Sequence, residues 1–399
     1  MRYRQETTLV GFPARVIFST IATVKKRSNC MCRLSAITSS DYFSPMENIH
    51  ALETMKEGHD GSGLGLMLKD LGGPFAEFKS FPVLSAVCSN KGLRDLEEYM
   101  KAHGYKEKFT WAPSIKNVPG IERREHYIAK VYDYPESYRD KPMREKEDLL
   151  MNTRLALRCM GEPDGSLFVF SFYPDVLTLK EVGDPLQLGE FFGLEKSGLK
   201  AKIVLAQGRQ NTNYAIYLYA CHPFFIQGYG TMTNGENTAF VPIREFLMGR
   251  GNPGYTGYNS DSEVLTHILH YTHRTLGYPL HYYKDVLTPL NETEMDKRSD
   301  AQALRLLKKS LRPLCIDGPN CVIGFTPDGS IFMVQDSKKL RPGVVGGAPG
   351  KYALMSEVCG VDSAVPDRDK STDIFPMKYD MVIIAPGARE VTVWNQLHG

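Results

Sequence analysis

From Cys32 onward, "CRLSAI" alternates apolar and polar side chains with a period of two, the pattern of a strand with one buried face. The period then lengthens. "SPMENIHALETMKEG" predicts a helix capped by Ser44, with Pro45 in its first turn and Gly58 at its end. "HDGSGLGLMLKD" reads as a glycine-rich turn running into a strand, and "PFAEFKSFPVLS" as another short extended piece. Between about residues 90 and 165 the character changes. "NKGLRDLEEYMKAHGY" and "SYRDKPMREKEDLLMNTRLALRCMG" are charged and helical in period, with a loop around "WAPSIKNVPG" between them. This section is expected to be a helical insertion facing mostly outward. Strands return in "SLFVFSFYP", "AKIVLAQGR", "YAIYLYACHPFFIQ" and "YGTMTNG". A helix is predicted over "DSEVLTHILHYTHRTLG", capped at Ser260 or Asp261 and ended by Gly277, and another over "DAQALRLLKKSL". The closing third reads as hairpins, with turns at Asp328-Gly329 and Pro386-Gly387. Strands flanked by helices in this order predict an α+β layered architecture rather than a doubly wound one.

Composition narrows the partners. Across 399 residues, 48 Lys and Arg nearly balance 46 Asp and Glu, so no excess charge points to nucleic acid or an anionic membrane. The sequence has no run of about 18 apolar residues, and no transmembrane helix is expected. Eight cysteines, at 30, 32, 88, 159, 221, 315, 321 and 359, form no CxxC pair. That gives neither a zinc spacing nor a disulfide framework, and a reducing cytoplasm is expected. His267, His270 and His273 share a helix face without companion carboxylate or cysteine ligands, and "GVVGGAPG" lacks the ending of a phosphate loop. Neither is taken as a ligand site. The first thirty residues are basic, with a short apolar centre followed by charge, the reverse of a secretory signal. An upstream start codon, a cleaved propeptide or an organelle transit sequence would each account for them.

Four polar clusters fall where strands give way to loops, the places at which a rigid scaffold presents function. They are Cys32 with Arg33, "GRQNTNY" around Arg209, "TMTNGENTAF" around Asn234 and Gly235, and "YNSDSEV" around Asp261. Each alone has an ordinary structural role open to it: a small buried cysteine, a surface ion pair, a hairpin turn, a helix cap. In this order, they resemble the class II glutamine amidotransferase domain of the N-terminal nucleophile hydrolases, most closely the glutaminase domain of glutamate synthase. "MCRLSAI" is similar to the family's cysteine directly after an initiator methionine, and "HDGSG" to its glycine-rich segment. "RQNTNY" resembles an arginine-led strand end, "ACHPFF" an A-x-P segment, and "TNGENT" an Asn-Gly loop; "SDS", "LRPGVVG" and "MSEVCGVD" resemble the later elements. Thr233 stands where the family has histidine, Asn211-Thr212 where it has a serine-threonine pair, and Glu57 where other amidotransferases have arginine.

The resemblance implies a four-layer αββα sandwich of N-terminal nucleophile hydrolase type. It also implies a mature protein that begins at Cys32, with residues 1–31 absent and one amidotransferase domain over 32–399 carrying the insertion. Cys32 would be the nucleophile, Asn234 and Gly235 the oxyanion donors, and Arg209, Thr212 and Asp261 the groups that bind L-glutamine. The chemistry suits those roles. A thiol is only partly ionised near neutral pH and needs a base. A free α-amino group on Cys32, with a reference pKa of about 8, would be that base, whereas an amide there cannot take a proton. Removal of methionine before a small residue such as cysteine favours the upstream-start origin of residues 1–31. A guanidinium fork suits the α-carboxylate of glutamine, and a carboxylate suits its α-ammonium; Asp60 is a second carboxylate in the glycine-rich turn. By the same resemblance, ammonia would pass to separate synthase subunits, those of a glutamate synthase first and of a methylglutamate-type synthase second. FMN and iron-sulfur centres would belong to those partners, and no cofactor or metal to this chain. An N-terminal nucleophile hydrolase acting on another amide, and a non-catalytic regulatory subunit that keeps the fold, are the alternatives.

Overall fold

The computed structural model describes residues 32–56, 63–209, 218–252 and 260–399, apart from the side chain of Arg209. In chain order the strands are β1 (Arg33–Phe43), β2 (Gly63–Gly72), β3 (Pro82–Cys88), β4 (Lys106–Trp111), β5 (His126–Asp133), β6 (Leu167–Pro174), β7 (Val176–Val182) and β8 (Lys200–Arg209). They continue with β9 (Phe224–Ile226), β10 (Tyr229–Gly235), β11 (Asn320–Phe325), β12 (Ile331–Gln335), β13 (Val344–Ala348), β14 (Lys351–Met355), β15 (Asp380–Ile384) and β16 (Val391–Asn395). The helices are α1 (Met46–Thr54), α2 (Asn90–Ala102), α3 (Met143–Gly161), α4 (Pro185–Phe191), α5 (Phe240–Gly249), α6 (Glu263–Leu269), α7 (Tyr282–Leu287), α8 (Glu292–Met295), α9 (Ala301–Ser310) and α10 (Val358–Ala364).

Among the described residues the strands form three sheets, ordered β13-β14-β1-β8-β2-β7, β16-β15-β12-β11-β10-β9 and β4-β5-β3-β6. Helices together with antiparallel sheets make the fold α+β. The period-two alternation decides where each strand packs. In β8, Ile203 and Leu205 join Leu34, Ala36 and Met67 in a core shared with Met232, Ile323, Phe325 and Met333 of the second sheet. The intervening Val204 and Ala206 face the opposite way, into a core with Ile49 and Leu52 of α1, Leu188 and Phe191 of α4, and Val361 of α10. The other face of the second sheet buries Val322, Phe332 and Val334 against α5, α6, α7 and α9 through Leu247, Leu265, Ile268, Tyr283 and Leu304. Asn48, fully buried on α1, donates from Nδ2 to the carbonyls of Ser35 and Val204 at 3.1 and 3.2 Å, which pins that helix across β1 and β8.

Several expectations change. The section from about 90 to 165 carries helices α2 and α3 but also strands β4 and β5, which complete a small sheet with β3 and β6. Its charged helices dominate the sequence signal, while edge strand β4 is mostly exposed and "HYIAKVYD" of β5 is buried nearly throughout, so no helical or alternating period marks either. "PFAEFKSF" is not extended: Gly73–Phe78 forms a 3₁₀ turn, and the strand begins only at Pro82. Strand β7 was not anticipated. Within "YAIYLYACHPFFIQ", residues 214–217 lie outside the described residues, Leu218–Ala220 makes one helical turn, and only Phe224–Ile226 pairs as a strand. Helix α6 continues as a π-helical stretch over His270–Thr275.

Candidate active site

Cys32 stands just ahead of β1, half-buried. Arg33 pairs with Gly208 of β8, so one step further along the ladder sets Cys32 opposite Arg209, whose backbone in turn pairs with Gly63 of β2. The expected nucleophile, the expected carboxylate-binding arginine and the last residue of "HDGSG" therefore meet at one end of the first sheet. Leu34 is held from the far end of the chain: its N–H donates to Ser356 Oγ at 3.2 Å and its carbonyl accepts from Ser356 N at 3.1 Å. Behind Cys32 the Arg33 guanidinium is 3% exposed, and burial holds its pKa below the ordinary value. Asp184, Glu53, the Cys32 thiolate and Glu357 oppose that shift by attraction.

The second sheet brings the Asn-Gly pair to the same end. Gln207, paired with Leu34 across β1 and β8, reaches between the sheets and donates from Nε2 to the Thr233 carbonyl at 2.7 Å. Asn234 and Gly235 close β10, paired with Cys321 and Asn320 of β11. Gly235 has no room for a side chain, since a Cβ there would lie 2.0 Å from the Pro319 carbonyl and 2.4 Å from Asn320 Oδ1. The residues around it are tied down one after another. Thr233 Oγ1 is within donating range of Asn320 Oδ1 and the Cys321 carbonyl, at 3.1 and 3.0 Å. Glu236 N donates to the Pro319 carbonyl at 3.1 Å, and Asn237 N donates to Asp261 Oδ2 at 2.7 Å.

Amid this anchoring the Asn234 amide is left open. The residue is 2% exposed, yet its Nδ2 has no hydrogen-bond partner among the described residues. A buried donor without a partner costs about 1–3 kcal/mol, so its position needs a reason. Tyr132 Oη and Ser171 Oγ are also open, but they lie in the third sheet, away from Cys32. Gln207 Oε1 and Asn237 Nδ2 are open as well, and both belong to the Cys32 end. Asn234 Nδ2 and Asn237 Nδ2 are thus two buried amide donors without partners among the described residues.

Asp261 does not cap α6; its Oδ1 accepts from Ser262 Oγ at 3.2 Å while Oδ2 holds Asn237, and Ser260 Oγ takes up Ser262 N at 3.2 Å. Thr212, Asp60, Asn211 and Glu57 lie outside the described residues, as does the Arg209 side chain. Burial pushes the Cys88 and Cys321 thiols up to about 12, and those of Cys315 and Cys359 are raised too, so these four are poor nucleophiles. The three histidines are engaged with side chains of the fold: His267 with Asn252 and, at 3.6 Å, Glu263 Oε1, His270 with Asn252 and Gln227, and His273 with Tyr229. Among the described residues no cluster of His, Cys, Asp and Glu has the arrangement of a metal site, and no helix is long and apolar enough to cross a membrane.

No protein-family model matches the sequence, and no curated protein matches it either. Solved structures do. The chain is similar to a glutamine phosphoribosylpyrophosphate amidotransferase from B. subtilis complexed with ADP and GMP, at 15% identity and a TM-score of 0.45. It is also similar to a structure described as the allosteric regulatory enzyme of purine biosynthesis, at 14% identity and the same TM-score. Each match covers 92% of this chain and 49% of the other, so the chain spans about half the length of these structures.

Gln207, Asn320 and Asn237 were not singled out from the sequence. Asn237 sits inside the quoted motif "TNGENT", so its neighbours pointed to it; Gln207, in the strand "AKIVLAQGR" just ahead of "GRQNTNY", and Asn320, in "GPNCVIG", carried no signal of their own.

Proposed function

We propose that the chain is a glutaminase of the class II amidotransferase kind, built on a four-layer αββα sandwich, that hydrolyses L-glutamine to glutamate and ammonia. The observation that carries this is the Asn234 amide, on a residue whose backbone is paired in β10, buried and without a hydrogen-bond partner among the described residues, at the end of the molecule where Cys32 precedes β1. In this reading residues 1–31 are absent and the free α-amino group of Cys32 takes the thiol proton. The thiolate then attacks the side-chain amide carbon of glutamine. The resulting oxyanion accepts hydrogen bonds from Asn234 Nδ2 and the Gly235 N–H, donors fixed before the charge develops. Collapse expels ammonia, protonated by the same amino group, and leaves a thioester that water opens to glutamate. Arg209 and Thr212 hold the substrate carboxylate, and Asp261, already fixed beside Asn237, takes its ammonium. The ammonia passes to a separate synthase subunit, most simply of a glutamate synthase whose FMN and iron-sulfur centres lie in the partner, in a reducing compartment such as the cytoplasm.

The test is made on protein purified from its native host. Its amino terminus is sequenced, glutamate release from glutamine is followed, and Cys32 is challenged with diazo-oxo-norleucine. A chain that begins at Cys32, turns over glutamine and is labelled there supports the reading. A chain that keeps residues 1–31, is unlabelled and is inert toward glutamine favours the regulatory subunit, and turnover of other amides in preference to glutamine favours the different hydrolase.

A further inference from the structure

Asn320 lies 86 positions beyond Asn234 in sequence and belongs to no motif, yet its side chain grips the Asn-Gly loop from both sides. Its Oδ1 faces Thr233 Oγ1 at 3.1 Å, on the residue before the pair, and its Nδ2 donates to the Glu236 carbonyl at 3.0 Å, on the residue after it. Nδ2 also faces the Gly318 carbonyl at 3.4 Å, and two carbonyls around one nitrogen fix which way the amide points. The clamp is itself held. Asn320 is 1% exposed, its N–H donates to Asp336 Oδ2 at 3.0 Å, and its carbonyl accepts from Asp336 N at 2.8 Å. Across the ladder it is the direct partner of Gly235.

We propose that Asn320 is a positioning residue for amide hydrolysis, holding Asn234 and the Gly235 N–H at the site of the developing oxyanion, with Thr233 as the arm through which it grips. This rests on the glutaminase reading. It also accounts for Thr233, whose short hydroxyl fits between β10 and β11, where it meets Asn320 and the Cys321 carbonyl. A donor displaced by an ångström loses much of its effect on a transition state, of the order of 10²-fold, while ground-state binding through other groups is little changed.

Asn320→Ala, and Thr233→Val as a second variant should the first fail to fold, are compared with wild type in the mature protein. Three quantities are read: kcat and KM for glutamine, and the rate at which Cys32 is alkylated by iodoacetamide, a displacement that forms no oxyanion. The expected result is a kcat reduced by about 10- to 100-fold, with KM and alkylation within about threefold of wild type. A kcat close to wild type in a folded variant overturns the clamp and leaves the glutaminase reading standing. Alkylation lost in proportion to kcat overturns it too, because the residue would then serve the site's integrity only. A wild-type chain that hydrolyses no glutamine removes both.

Discussion

On the proposed mechanism, a single side-chain nitrogen, Asn234 Nδ2, separates two kinds of reaction at the same sulfur. Asn234→Ala is expected to lower glutamine turnover by about 10²- to 10³-fold, the usual loss for one oxyanion donor, while leaving iodoacetamide alkylation of Cys32 within about twofold. Parallel steady-state and alkylation assays check this. Were both rates to fall together, the nitrogen would be structural. Much of this end of the molecule was legible from sequence because its residues sit at breaks of pattern: Cys32 at the head of an alternating run, Asn234-Gly235 where one stops. The structure places them together, along with the backbone of Arg209 and the carboxylate of Asp261. Asn320 and Gln207 were not legible in that way. What they do depends on which strand lies beside them, and neither register nor sheet order can be read from one strand's composition.

At the scale of the element, β2 owes its place to one missing side chain. Gly65 pairs with Gln207 on one side and Lys180 on the other, and a Cβ on it would lie 1.6 Å from the His222 carbonyl. Gly65→Ala is expected to destabilise the fold by about 3 kcal/mol, since a backbone carbonyl cannot step aside as a side chain can. The midpoint of urea denaturation gives the number, and a shift under about 0.5 kcal/mol would mean that the two segments separate freely. Hairpins and long strands were the best-read elements. β11 and β12 turn at Gly329, with φ +89, and Asp328 Oδ1 accepts from Ser330 N at 3.1 Å, as the turn chemistry requires. Strands β4, β5 and β7 were missed for a common reason. Each is flanked by strongly patterned neighbours, and none shows a clean alternation of its own.

Across the whole molecule, burial sets how stability responds to pH. Lys180 of β7 is 3% exposed, with Nζ 5.5, 5.4 and 5.0 Å from the ring centroids of Phe170, Tyr219 and Phe224. Burial pushes its ammonium down to about 7 from an ordinary 10.5. Between those values the unfolded chain holds a proton that the folded chain has given up, so this group makes stability rise with pH through the window and withholds it below. Lys180→Met is therefore expected to be more stable than wild type near pH 7, with the difference shrinking as pH approaches 10; denaturation at a series of pH values checks the sign. The layered α+β plan was foreseeable from strand and helix order, but the third sheet was not, because two of its strands flank and two lie within a section whose sequence advertises helices. The Leu34–Ser356 pairing spans 322 positions, and β14 lies directly beside β1. The strand that Cys32 leads therefore cannot be paired on both edges until a segment 322 positions further along has been made. On the proposed reading, a growing chain exposes the Cys32 thiol before its cradle exists, and reactivity toward an amide waits for that later segment.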